Sequence, residues 1–164
     1  MKRIITVVAL VLTVAWGGFV FSNSLDSGPE SSEKSGKVYE VVNEVAQSLG
    51  ATHEIPEATI RTSAHFGEFA VLALLITVDL TLLLDLRLSE PLSHRHALVL
   101  LSVPFSALMA VIDECIQFFS PGRAMQLLDI MIDVGGALCG VLGIALIFFL
   151  IRAVRVRSTK PQPI

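Results

Sequence analysis

Charge is scarce in this chain of 164 residues: Asp, Glu, Lys and Arg make up 16% of it, against 53% hydrophobic residues and a mean hydropathy of +0.72. Soluble domains carry about 25% charge, so the composition excludes an ordinary soluble domain and points to an integral membrane protein. Cysteine is nearly absent too. Cys115 and Cys139 stand in or beside apolar runs without CxxC spacing, which argues against a zinc or redox motif and for small packing residues. There is also no phosphate loop, nucleophile elbow, zinc-protease helix or basic surface for nucleic acid. The net charge of −3 says little, because bases and acids occupy different parts of the chain.

What is present is long apolar runs. A helix that crosses a hydrocarbon core of about 30 Å needs roughly 20 mostly apolar residues. Four segments qualify: Ile4–Phe21, Phe66–Leu84, Ala97–Ile112 extended to Phe119, and about Leu128–Ile151. No A-x-A cleavage site follows the first, so it is expected to be a retained helix and not a signal peptide. The expected fold is all-α, a multi-pass bundle of four transmembrane helices over residues 1–151, followed by a basic cytoplasmic tail at 152–164. Lys2 and Arg3, then Arg87, His94, Arg95 and His96, then Arg152, Arg155, Arg157 and Lys160 fall on one side if the spans alternate. The positive-inside rule makes that side cytoplasmic. Both termini are then expected inside the cell membrane, with residues 22–60 and the loop near 120–125 outside.

Within the outer segment, Ser22–Lys37 is rich in Ser, Gly and charge and reads as loop. Val38, Val41, Val42, Val45 and Leu49 recur at helical spacing and predict a short amphipathic helix over 38–49. Its polar face lacks the Lys and Arg of an anionic-lipid binder, which favours packing on protein. Pro56 is placed to start a helix that runs through Arg61 and His65 into the second span.

The polar residues at the outer boundary are the informative ones. Arg61, His65 and Glu68 share one helix face. So do Asp113 with Gln117, Glu114 with Gln117, and Asp129 with Asp133, where the backbone is helical. Three span ends meet at this level, so one cluster can contain Arg61, His65, Glu68, Asp113, Glu114, Gln117, Arg123, Asp129 and Asp133. Ionisable groups at membrane depth cost several kcal/mol unless paired or hydrated, which makes them functional candidates by default. The competing readings are an interface anchor for Arg61, a hydrogen-bonded boundary histidine for His65, and solvated helix ends for Asp113, Glu114 and Asp129. Carboxylates near a helix C-terminus are disfavoured, so Arg61 or Arg123 is expected to compensate Asp113 and Glu114, and one of the two arginines to neutralise Glu68. Asp79, near the other end of the second span and about 9 Å along the helix from Asp85, reads as a residue with a structural partner in the bundle. Gly136 and Gly140 form a GxxxG pair for close helix packing, either inside the bundle or between protomers of an oligomer.

The combination Arg61-Thr62-Ser63-Ala64-His65-Phe66-Gly67-Glu68-Phe69, then Asp113-Glu114-x-x-Gln117-x-x-x-Pro121-Gly122-Arg123, then Asp129-x-x-x-Asp133-x-x-Gly136, resembles the VanZ-like family over roughly Ile4 to Ile151. Two positions depart from it. Phe21-Ser22-Asn23-Ser24 stands where the family has a Phe-Ser-Ser-Gln-like end to its first span, and Thr62 stands where lysine is frequent. The resemblance implies a small multi-pass membrane protein of the cell envelope, and the family's founding member is associated with low-level teicoplanin resistance, an antibiotic-resistance link.

Two functions compete. In the first, Arg61, Arg123 and His65 engage the anionic headgroup of a lipid or cell-wall precursor at the outer leaflet while the carboxylates orient them. In the second, the chain is a membrane-embedded hydrolase or transferase acting on a lipid-linked substrate, with a carboxylate or His65 as base and a divalent metal held by the acids. His65-x-x-Glu68 offers an i, i+3 pair for one ion, although di-iron bundles use the reverse order. The sequence assigns no catalytic residue, cofactor or metal. A purely structural bundle, whose cluster closes the outer ends, is the third reading.

Overall fold

The computed structural model describes residues 2–84 and 92–158, with the side chains of 92–100, 152 and 155–158 excepted. Asp85, Arg87 and Lys160 lie outside the described residues, as do the side chains of His94, Arg95, His96, Arg152, Arg155 and Arg157. The elements are α1 (Lys2–Ser24), α2 (Gly28–Ser48), α3 (Glu57–Leu83), α4 (Leu92–Phe119) and α5 (Leu127–Ser158). All but α2 contain a stretch long and apolar enough to cross a membrane. In lipid every backbone N–H and C=O must be satisfied within the span, which is why such runs become helices.

α3 is the central element: it touches all four other helices and packs most closely on α5. The core runs along it. Phe69, Leu72 and Ile76 are buried with Val20 of α1 and Ala110 of α4, and Trp16, Met109, Ile130 and Val134 lean on this group. A second cluster joins Ala73 to Ala137 and Val141. Here the GxxxG pair finds its use. A Cβ on Gly136 would collide with the backbone carbonyl of Phe66, and one on Gly140 with that of Ala70. Both glycines thus let α5 lie directly on the α3 backbone, and the face they present is filled within the chain. Large apolar residues on the opposite faces, such as Val14, Leu142 and Phe149, point outward, as lipid-facing positions do.

Several boundaries differ from the sequence expectation. α1 continues past Phe21 to Ser24, which brings Asn23 and Ser24 onto a helix. The expected loop at 22–37 is short, because α2 begins at Gly28. Ser27 accepts from the Glu30 N–H, while the Glu30 carboxylate accepts from the Ser27 N–H, and Pro29 occupies the first turn. This capping box overrides the loop-like Ser and Gly composition. The two Ser27 donors, side chain first and backbone second, hold the Glu30 carboxyl below its ordinary value.

The valine stripe of α2 does not pack on the bundle as expected: Val41, Val45 and Leu49 are 59%, 52% and 82% exposed. The opposite face packs instead, because it carries the groups that satisfy the α2–α3 connection. Buried Asn43 accepts from the Ile55 N–H at 2.6 Å and donates to the Ile55 carbonyl at 3.1 Å, and Tyr39 donates to Glu54 at 2.7 Å. The Tyr39 hydroxyl is pushed up by that bond to Glu54. Pro56 stands as the N-cap of α3, and the helix runs unbroken through Arg61 and His65. Cys115 and Cys139 are exposed, so neither is the packing residue its setting suggests. Asp79 is buried, and its Oδ1 has no partner among the described residues.

Candidate functional site

At the α2 end of the bundle, the last turns of α1 and α4 meet the first turns of α3 and α5. Spacing alone arranges the groups. Arg61, His65 and Glu68 face one way from α3. The adjacent Asp113 and Glu114 are turned about 100° apart on α4, which sends them to different neighbours. Asp113, Glu114 and Asp133 have no exposed surface, and Gln117 is 1% exposed.

Asp113 is held by neutral donors. Ser24 donates its hydroxyl to Oδ1, and Gln117 donates Nε2 to Oδ2 at 2.8 Å. The other end of the Gln117 amide accepts from Arg123 Nη2 at 2.7 Å, so Arg123 reaches Asp113 only through Gln117. Arg123 Nη1 also donates to the Asn23 carbonyl at 3.1 Å. The positive φ of Gly122, +78°, makes the tight turn that aims Arg123 back at α1. Gly28 N–H donates to Pro121 O at 2.8 Å and ties α2 to the same turn. Burial, and after it the nearby Arg61 charge, lowers the Arg123 guanidinium from its ordinary value.

Glu68 Oε1 accepts from Asn23 Nδ2 at 3.2 Å, and the Glu68 carbonyl accepts from the Trp16 indole at 2.9 Å. Neither arginine forms an ion pair with Glu68 among the described residues, which corrects the expected Glu68–arginine pairing. Arg123 compensates Asp113 and Glu114 through its charge and, for Asp113, through Gln117, without direct contact to either. Ser24 and Gln117 serve Asp113, while the Gln126 N–H donates to Glu114 Oε2 at 2.7 Å.

His65 turns toward α5. Its Nδ1 lies 3.6 Å from Asp133 Oδ1, beyond hydrogen-bond reach. One ligand atom each from His65, Asp113 and Asp133 lies within 4.8 Å of the others. Glu68 is not in this trio, in which His65 meets acids of α4 and α5. Asp129 sits half-buried in the first turn of α5, at the rim of the cluster.

Beside this cluster, α1, α2, α3 and Arg123 enclose a cavity of about 550 Å³. Phe19, Val38, Ile60 and Ala64 give it apolar walls, while Arg61, His65, Glu68 and Arg123 face it with polar heads. Lys34 on the same wall is paired with Asp26 at 2.6 Å. Arg61 makes neither a hydrogen bond nor an ion pair among the described residues.

The nine residues singled out from the sequence therefore meet at one end of the bundle but divide into a buried core, a cavity wall and a rim. Sequence reasoning missed Asn23, Ser24, Ser120 and Trp16 as partners. Ser120 donates its hydroxyl to the Ser24 carbonyl at 2.8 Å and closes the joint between α1 and α4. The signal for Asn23 and Ser24 lay in the Phe21-Ser22-Asn23-Ser24 end of the first span. Neither the curated proteins nor the solved structures contain a match. The VanZ/LLP1 family model matches residues 8–151. With that match covering most of the chain, and with the helices that it spans, this multi-pass membrane protein belongs to the VanZ/LLP1 family.

Proposed function

We propose that the chain binds the anionic headgroup of a cell-envelope lipid or lipid-linked wall precursor in the cavity beside α2. The observation that carries this reading is the pair of arginines on one cavity wall. Among the described residues Arg61 has no carboxylate partner, and Arg123 is held by neutral acceptors while it feels the repulsion of Arg61. Two like charges kept together and left unpaired by the fold are what an incoming phosphate would neutralise. The apolar walls suit the adjoining hydrocarbon. His65 and Glu68 line the same space, and the remaining carboxylates orient the donors behind it. The reading places the cavity at the outer leaflet of the cell membrane with both termini cytoplasmic, by the positive-inside rule. A link to glycopeptide (teicoplanin) resistance would follow if the bound headgroup belongs to a wall precursor. A membrane-embedded hydrolase or transferase is the second reading, favoured by the ionisable trio directly beside the cavity.

Arg61→Ala tests binding cleanly, since no described partner depends on it. In nanodiscs, the variant is expected to bind a polyprenyl monophosphate about tenfold more weakly, the worth of a charge-assisted hydrogen bond, with unchanged thermal stability. Unchanged affinity in an Arg61→Ala, Arg123→Ala double variant would remove the reading. Topology has its own check. With Cys115 and Cys139 replaced, a cysteine at Ser32 should react with an impermeant thiol reagent in whole cells, and one at Ser158 should not. The reverse pattern would put the cavity in the cytoplasm.

A further inference from the structure

The buried part of the cluster contains polar atoms that headgroup binding leaves unexplained. Asp133 is completely buried, yet neither of its carboxylate oxygens has a hydrogen-bond partner. His65 Nδ1, 3.6 Å from Asp133 Oδ1, and Glu114 Oε1 are also buried without a hydrogen-bond partner among the described residues. Buried polar atoms are nearly always satisfied, so several unpaired ones at one point need an explanation. Glu68, Asp113, Glu114 and Asp133 bring carboxylates from three helices together, and no Lys or Arg contacts any of them as an ion pair among the described residues. A proton on Asp133 would satisfy one oxygen at most. A cation at the junction takes a lone pair from His65, Asp113 and Asp133 at once.

We propose that His65, Asp113 and Asp133 form a binding site for one divalent transition-metal ion, of the Mn(II) or Zn(II) class. Ligand atoms held at about 2.0–2.2 Å from an ion lie at most about 4.4 Å apart, and here they already fall within 4.8 Å of one another. Small side-chain rotations close the gap. Each carboxylate oxygen offers two lone pairs, so Asp113 can ligate without giving up Ser24 or Gln117. Those two bonds fix the Asp113 carboxylate, as the outer partners of a metal ligand do. The single imidazole beside two carboxylates favours a transition-metal ion over Ca(II) and Mg(II), which prefer all-oxygen cages. The backbone contact of Gly136 with Phe66 supports the site mechanically, because it lies next to His65 on α3 and one turn from Asp133 on α5. The site stands on these residues whether or not the cavity takes a headgroup.

The test uses the full chain in nanodiscs, stripped with EDTA and dialysed against Mn(II), Zn(II), Ca(II) or Mg(II) separately. Close to one Mn(II) or Zn(II) per chain should survive desalting, the unfolding midpoint should rise with metal concentration, and bound Mn(II) should lose the paramagnetic resonance spectrum of the free ion. Asp133→Asn and His65→Gln should each weaken binding at least about 100-fold, more than the loss of an outer partner usually does. Substoichiometric metal without a thermal shift in the native chain overturns the proposal and leaves protons as the neutralising charge. So does retention of Ca(II) or Mg(II) alone, or full binding by both variants. Where Asp133→Asn does not fold, His65→Gln and the native stoichiometry decide.

Discussion

Gly136→Ala is expected to lower the stability of the detergent-solubilised protein by about 3 kcal/mol, at the upper end of what overpacking costs. The added methyl would occupy the space of the Phe66 carbonyl, and its nearest neighbours are backbone atoms. A flexible side chain could swing aside; a helix backbone cannot, so α3 and α5 must separate along their shared seam. Gly140→Ala should behave alike, since it meets Ala70 in the same way. Gly143 supplies the control on the same helix. A Cβ there meets nothing within 4 Å, so Gly143→Ala should stabilise by roughly 0.5–1 kcal/mol through helix propensity. The opposite signs separate packing from propensity in one thermal-unfolding experiment. A Gly136→Ala protein as stable as the native one would mean that the two helices do not approach this closely.

Gln117→Leu is the second large effect, expected to cost about 3 kcal/mol. Among the described residues the buried amide is the hydrogen-bonded link between Asp113 and Arg123, taking a donor from one side and giving one to the other. Leucine fills the volume and leaves both charged neighbours short of a partner. A double-mutant cycle locates the cause: Gln117→Leu and Arg123→Ala should couple by more than about 0.5 kcal/mol. Coupling between Glu68 and Arg123 should be weaker, because they meet only through opposite ends of Asn23. A cycle in which Glu68 couples to Arg123 more strongly than Gln117 does would break this wiring.

The spans were legible because hydrocarbon leaves the chain one solution, and a run of about 20 apolar residues announces it. Membership of the polar cluster was legible for the same reason: His65, Asp113 and Asp133 stand out against lipid-phase neighbours. Their pairing was not. Helical spacing tells which side chains share a face, not which neighbouring helix that face meets. The sequence therefore suggested an arginine for Glu68 where Asn23 stands, and it paired His65 with Glu68 on its own helix while the structure turns the His65 Nδ1 toward Asp133 of α5. α2 shows a different limit. Its Ser- and Gly-rich first half reads as loop by composition, while the reciprocal bonds of Ser27 and Glu30 make it helix. Its valines suggested a packed face, but Asn43 and Tyr39 bury the other side because the turn into α3 needs their hydrogen bonds.

The way α1 is fastened has a consequence for biogenesis. Little of its length is buried, and it is joined to the cluster by Asn23 and Ser24 at its last turn, with Trp16 reaching α3 two turns earlier. The partners of Ser24 come 89 and 96 residues later in the chain, and the partner of the Asn23 carbonyl comes 100 residues later. Because a chain is made from its N-terminus, α1 enters the bilayer long before α4 exists. Its seat on α3, where Val20 packs on Phe69 and Leu72 and Trp16 and Asn23 bond Glu68, is available as soon as α3 follows it. The bonds of Ser24 to Asp113 and Ser120, and of the Asn23 carbonyl to Arg123, wait for α4 and the turn after it, so this end of α1 is fastened in two stages.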